Sequence, residues 1–251
     1  MLLERARGID WRDAAAYAPL LGADRSLFAW EWLRRDAAYL QAAGFVRSTG
    51  QPAERFGLVE FEAPERTVPD ARPVWSIRSL PDVLPVERGS AAGPENCFDL
   101  DRFAVIATMA ARKDREHLLL SDGLRTVRLD GPRGTFSGGA ATLRYAFEGV
   151  AAAQRPLLTL RRLLALCRCG RFSPPLHCPE ARAARWILML RARDALAEGA
   201  DQREIAFELF SRAAGEPRWR SSAPGLRSQV QRLVRSARQF SAGGYRVLLG
   251  P

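Results

Sequence analysis

The sequence has little lysine or histidine and no long hydrophobic run. Lys113 is the only lysine, and two histidines stand among 251 residues. No stretch approaches the roughly 18 consecutive apolar residues that a membrane-spanning helix needs, so we expect no membrane partner. The first ten residues carry several charges and lack the apolar core of a signal peptide, which predicts a cytoplasmic protein.

Enzymatic motifs are missing as well. His117 lies in a predicted strand and His177 in a proline-rich loop, and no nucleophile elbow, zinc-protease helix or carboxylate pair accompanies them. The glycines between residues 131 and 139 lack the Lys-Ser/Thr pair of a phosphate-binding loop, and a dinucleotide fingerprint is absent too. We therefore predict that the protein is not an enzyme and uses no cofactor.

The four cysteines do not form a standard metal-binding pattern. Without an export signal they are expected to be reduced thiols. Cys167, Cys169 and Cys178 could join His177 in a four-ligand set, but zinc sites normally use Cys-x-x-Cys spacing. We predict no metal site.

Positive charge is concentrated at one end of the chain. Of the 38 basic and 28 acidic side chains, the first 150 residues hold 20 and 21, which leaves 18 and 7 for residues 151–251. The net charges are therefore −1 and +11. A strongly basic region indicates a polyanionic partner, most often a nucleic acid.

The pattern of apolar residues, prolines and glycines predicts an α+β protein with four segments. Residues 1–44 form an N-terminal helical module, with one helix expected over 26–41, and residues 45–95 form a connector rich in proline and glycine. Residues 96–151 form a small antiparallel sheet with strands expected at 103–108, 116–120, 125–129 and 142–147. Residues 152–251 form a helical domain that ends in a helix-turn-helix.

The last long helix is predicted at 224–241. Its apolar residues are spaced four, three, four and three apart, so they share one face: Leu226, Val230, Leu233, Ala237 and Phe240. From Arg218 to Arg246 there are seven arginines and no acidic residue. A face of one charge repels itself unless it meets an anion, whereas a solvated face usually mixes charges. The alternative is a basic surface helix with no role in binding nucleic acid.

A capped helix precedes it. Asp201 and Glu204 have the spacing of a capping box, and Ile205, Ala206, Leu209 and Phe210 form an apolar stripe. Such a helix is typical of the first helix of a helix-turn-helix, where a small residue lets the second helix approach.

The geometry of a recognition helix divides the expected contacts. Its first turns normally enter the major groove, so we expect their side chains to contact base edges. We expect later residues of the helix to contact phosphates. The candidates for base contacts are Arg227, Ser228, Gln231 and Arg232. The candidates for phosphate contacts are Arg218, Arg220, Arg235 and Arg238.

The chain resembles a known family of proteobacterial regulators. The matching motifs are LRARDAL (190–196), REIA (203–206), WR (219–220), LRS (226–228), RLVR (232–235) and GGY (243–245). They resemble the DNA-binding domain of RovC-type transcription factors, which activate type VI secretion genes. This domain was long described as a domain of unknown function. WRD (11–13) and AWEWLRR (29–35) resemble a short tryptophan-rich module often found ahead of it.

The resemblance implies a transcription activator that binds double-stranded DNA through a helix-turn-helix with a long turn, and it implies a homo-oligomer. Some relatives resemble anti-activators that bind another regulator instead of DNA. The alternative function is therefore a protein-binding regulator that turns the same basic domain toward RNA polymerase or another regulator.

Overall fold

A computed structural model describes residues 9–44, 52–90, 93–147, 149–210 and 223–250. The chain divides into two compact units. The sheet unit is Val46–Cys178, and the helical unit combines Met1–Phe45 with Pro179–Leu249. The α+β class is confirmed. The boundaries of these units differ from those of the four segments expected from the sequence, since the helical unit combines both ends of the chain. The division into four segments stays a prediction.

The sheet unit contains a six-stranded sheet with the order β2-β6-β1-β5-β4-β3. Its strands are β1 (Leu84–Arg88), β2 (Cys97–Phe98), β3 (Ala107–Ala111), β4 (Arg115–Ser121), β5 (Thr126–Pro132) and β6 (Ala141–Tyr145).

The antiparallel pairing predicted for residues 96–151 is confirmed for β2 with β6, β3 with β4 and β4 with β5. The whole sheet is mixed, because β1 pairs parallel to β5 and antiparallel to β6. This strand comes from the expected connector, where it buries Leu84 and Val86 in the middle of the sheet.

One expected strand is partly a helix. Residues Leu100–Ile106 form a 3₁₀ helix, and β3 starts only at Ala107. The Asp99 carboxylate accepts a hydrogen bond from the backbone N–H of Asp101, which favours a helical turn at that point over an extended chain.

Helix α3 (Val150–Cys169) packs against β1 and β5 of the same unit. Leu163 and Leu166 are buried with Leu84 and Leu129 in one apolar cluster. The helix ends at Gly170, whose left-handed conformation is the usual helix terminator. Shorter 3₁₀ helices lie at Ala53–Phe56, Pro94–Asn96 and Pro174–Leu176.

The glycine-rich loop after β5 binds a carboxylate of the protein itself. The Glu116 carboxylate accepts hydrogen bonds from the backbone N–H groups of Gly134, Phe136 and Ser137 and from the Ser137 hydroxyl. Burial alone would raise the pKa of Glu116, but these donors lower it to about 2. The backbone N–H groups that could cradle a phosphate are therefore already bonded to a carboxylate.

The helical unit is built from five α-helices in its described part: α1 (Arg25–Leu33), α2 (Ala37–Gly44), α4 (Ala183–Ala197), α5 (Gln202–Leu209) and α6 (Pro224–Ser241). Two 3₁₀ helices, Ala15–Gly22 and Gly244–Leu248, complete it. Trp30 and Trp32 are buried, so the tryptophan-rich motif serves packing. Within the described residues, no helix is long and apolar enough to cross a membrane.

The single helix expected over 26–41 is broken. α1 ends at Leu33, and the Asp36 side chain accepts a hydrogen bond from the backbone N–H of Ala38 at the start of α2. Asp36 therefore acts as a helix cap inside the predicted helix.

A buried charge network joins α1 to α4. Arg35 donates from Nε to both Asp194 oxygens, at 2.9 and 3.1 Å, and also contacts Glu31. The Tyr17 hydroxyl donates to Asp194 at 2.7 Å, and Arg34 donates to Glu31 at 2.7 Å. Burial would raise the pKa of Asp194, but the Arg35 guanidinium holds it below its usual value. The N-terminal module is thereby fixed to the helices that follow residue 179.

Candidate nucleic-acid interface

Helix α6 forms where the sequence predicts it, from Pro224 to Ser241. Pro224 occupies the first turn, where its missing N–H costs no hydrogen bond. One side of the helix packs against α4 and α5. The residues that this side buries are Val230, Leu233, Val234 and Ala237.

The other side of α6 carries six candidate contact residues, all exposed. We call this the basic face: Arg227, Ser228, Gln231, Arg232, Arg235 and Arg238. At about 100° per residue these side chains span an arc of about 140°, while the buried residues span about 100° on the opposite side. Arg227 and Arg238 lie about 16 Å apart along the axis. The helix therefore separates a packing stripe from a basic stripe about three turns long.

The guanidinium groups of the basic face have no ion-pair or hydrogen-bond partner within the described ranges. This contrasts with other arginines of the same unit. Arg35 and Arg193 both contact Asp194, and Arg25 pairs with Glu180 at 3.0 Å. The charge of the basic face is thus available to an external anion, whereas Arg25, Arg35 and Arg193 are paired with carboxylates of the protein itself.

Two further candidates, Arg218 and Arg220, lie outside the described residues. The helical projection of α6 also places one further residue, which was not among the predicted contacts, on the basic face. Gln239 is exposed and falls within the arc of the basic face. Its position on the wheel is the sequence signal that could have found it.

Helix α5 is held by the capping box predicted for it. The Asp201 carboxylate accepts from the backbone N–H groups of Arg203 and Glu204, at 2.7 and 2.9 Å. The Glu204 side chain accepts in return from the Asp201 N–H at 2.8 Å. Ile205 and Ala206 are fully buried, and α5 packs directly on α6. The small Ala206 side chain allows that close approach.

The cysteines of the sheet unit are free thiols, with Cys97 and Cys167 partly buried and Cys169 and Cys178 exposed. Burial raises the pKa of the Cys167 thiol, which disfavours the thiolate that binds metals. The His177 ring contacts the carbonyls of Ser173 and Thr126, and His117 lies 2.9 Å from Asp130. In the portion of the chain that the structure describes, no three His, Cys, Asp or Glu side chains cluster as metal ligands.

Two protein-family models match the chain. Residues 148–250 match the RovC-type domain, described as the DNA-binding domain of a T6SS transcription factor. Residues 10–55 match the proteobacterial transcriptional regulator-like domain. The chain therefore contains a RovC-type DNA-binding domain and a proteobacterial transcriptional regulator-like domain. No curated protein and no solved structure matched it.

The resemblance seen in the motifs is therefore confirmed, and the chain is a transcriptional regulator with a DNA-binding domain. The RovC-type match includes the whole basic face of α6. The N-terminal match includes α1 and α2, with the buried Arg35 that contacts Asp194 of the RovC-type domain.

Proposed function

We propose that the regulator binds double-stranded DNA with the basic face of α6 in the major groove, and that it activates transcription. The observation that carries this proposal is the row of arginines that have no partner among the described residues, opposite the buried stripe of the same helix. An α-helix fits the major groove, and a basic face supplies the phosphate contacts that dominate affinity.

The supporting helices favour a helix-turn-helix variant. α5 packs on α6, and α4 packs on both, as a three-helix core would require. We propose that α5 is the first helix and α6 the recognition helix, with an extended turn between them. In this arrangement the N-terminal turns of α6 carry Arg227, Ser228, Gln231 and Arg232 to base edges. Arg235 and Arg238, together with Arg218 and Arg220, grip phosphates.

DNA binding by the double variant Arg227→Ala/Arg232→Ala tests this proposal. Each base contact contributes about 1–3 kcal/mol, so we expect affinity for a footprinted genomic site to fall about 30-fold or more. The measurement is fluorescence anisotropy with the footprinted duplex. Arg185→Ala is the matched control, because Arg185 is an exposed arginine on α4 outside the basic face.

Unchanged affinity in the double variant would contradict the assignment of the site. Absence of any footprint, with an intact fold by circular dichroism, would favour the protein-binding regulator instead. A promoter fusion then tests the sign of regulation, since an activator must raise its expression. We also propose that the protein acts by binding, without catalysis, and as a homo-oligomer.

A further inference from the structure

Helix α3 has a second apolar stripe, which the described residues leave exposed. Leu157, Leu158 and Leu164 are 50%, 37% and 53% exposed. The opposite side of the helix packs into the sheet unit through Leu163 and Leu166. Leucines this exposed along one side of a helix mark an interaction surface when they are contiguous.

Two arginines lie within the same stripe. At about 100° per residue, Leu164, Leu157, Arg168, Arg161 and Leu158 follow each other within an arc of about 120°. Arg161 and Arg168 are exposed and have no ion-pair or hydrogen-bond partner among the described parts of the chain. We call this stripe the leucine–arginine face.

The charge of α3 restricts what can cover this face. The helix contains four arginines and no acidic residue. Among the contacts of the described residues, Arg162 is the arginine of this helix that is used internally: its Nε donates to the Leu176 carbonyl at 2.8 Å. A second copy packed on the same face would set arginine against arginine, so a symmetric self-contact is disfavoured.

DNA and a lipid bilayer match the leucine–arginine face less well than an acidic protein surface does. A DNA backbone would neutralise the arginines but would leave the leucines without apolar contacts. A bilayer would accept the leucines, but Arg161 and Arg168 lie between them and would have to enter the apolar layer. A partner surface that alternates apolar and acidic side chains satisfies both.

We infer that the leucine–arginine face binds an acidic amphipathic helix of a partner protein. The face extends about 16 Å from Leu157 to Arg168, which matches about three turns of a partner helix. Apolar anchors of that helix would cover the leucines, and its carboxylates would pair with Arg161 and Arg168. This docking surface shares no residue with the basic face of α6, and the inference does not rest on the proposed DNA binding.

The test uses the full chain and a synthetic probe. The probe is a labelled peptide of about 18 residues with leucines at helical spacing and glutamates around them, and a scrambled peptide of equal composition is its control. We expect the amphipathic peptide to bind in fluorescence anisotropy and the scrambled one not to bind. Leu157→Ser/Leu164→Ser and Arg161→Glu/Arg168→Glu should each weaken binding about tenfold or more.

Matched controls separate this site from general charge and from DNA binding. Val247→Ser removes an apolar side chain that is 62% exposed elsewhere, and Arg185→Glu reverses an exposed charge elsewhere. Both should leave peptide binding unchanged, as should Arg227→Ala/Arg232→Ala. The leucine variant should keep its circular dichroism spectrum and its DNA affinity.

The inference would be overturned by no binding of the amphipathic peptide, by equal binding of both peptides, by peptide binding that the leucine variant leaves intact, or by a loss of DNA affinity in the leucine variant. Binding to anionic lipid vesicles that depends on the same leucines would also overturn it, since it would identify a bilayer as the occupant.

Discussion

Arginine has two different roles in the helical unit, and its surroundings decide which. Arg35 is buried between two carboxylates, with its pKa raised by Asp194 and Glu31 despite the opposing effect of burial. Arg235 and Arg238 are exposed, with no partner in the described ranges. Removing one member of a buried pair leaves an uncompensated charge, so the core arginines matter for stability. The exposed ones matter for binding.

Replacing Asp194 by Asn should therefore destabilise the helical unit. We expect a loss of about 3–5 kcal/mol in the free energy of unfolding, measured by urea denaturation, because Arg35 keeps its charge in a buried position. Tyr17→Phe removes one hydrogen bond to the same carboxylate and should cost about 1–2 kcal/mol. Glu208→Gln, at an exposed position on α5, is the control. A loss below about 1 kcal/mol for Asp194→Asn would contradict the role of the network.

The same carboxylate predicts a pH dependence. The pKa of Asp194 is lower in the folded protein than its ordinary value of 3.8. Its contribution to stability is thus fully present above that value and is lost as the pH falls through the lower, folded-state pKa. In urea denaturation at decreasing pH, wild type should lose this part of its stability and Asp194→Asn should not. Parallel curves for the two proteins would argue against the assignment.

At the scale of elements, periodicity predicted more than local composition did. The spacing of Val230, Leu233 and Ala237 gave the correct bounds and the correct buried side of α6. Strand β1 was missed because Pro81 and Pro85 flank and interrupt its five residues, and proline is normally confined to edge strands. The pairing partners of β1 lie more than 40 residues away, so only tertiary contacts reveal its central place in the sheet.

The capping box of α5 gives a prediction at the same scale. Asp201→Ala leaves two N–H groups of the first turn without their acceptor, so we expect a loss of about 1 kcal/mol in stability. Asp201→Ser keeps an acceptor and should restore most of it. Thermal denaturation of the three proteins provides the comparison, and equal midpoints for alanine and serine would argue against a capping role.

For the whole molecule, charge distribution predicted the function more directly than it predicted the architecture. The excess of arginine after residue 150 indicated a polyanion, and the family matches agree with that reading. The sequence could not indicate that residues near the N-terminus and residues after 179 form one unit, because that depends on contacts such as Arg35 with Asp194, 159 residues apart. The candidate residues of α6 were predictable, because a helical projection of the sequence places them on a different side from the apolar residues.

The dependence of DNA affinity on salt tests the central claim most directly. When the arginines of the basic face contact phosphates, counterions are released from the DNA. The affinity for duplex DNA should therefore fall steeply between about 50 and 200 mM salt. In Arg235→Ala/Arg238→Ala the slope of log K against log salt should become shallower by about 1.8, since each phosphate contact contributes about 0.9. A slope equal to that of wild type would contradict the claim that this face of α6 binds the DNA backbone.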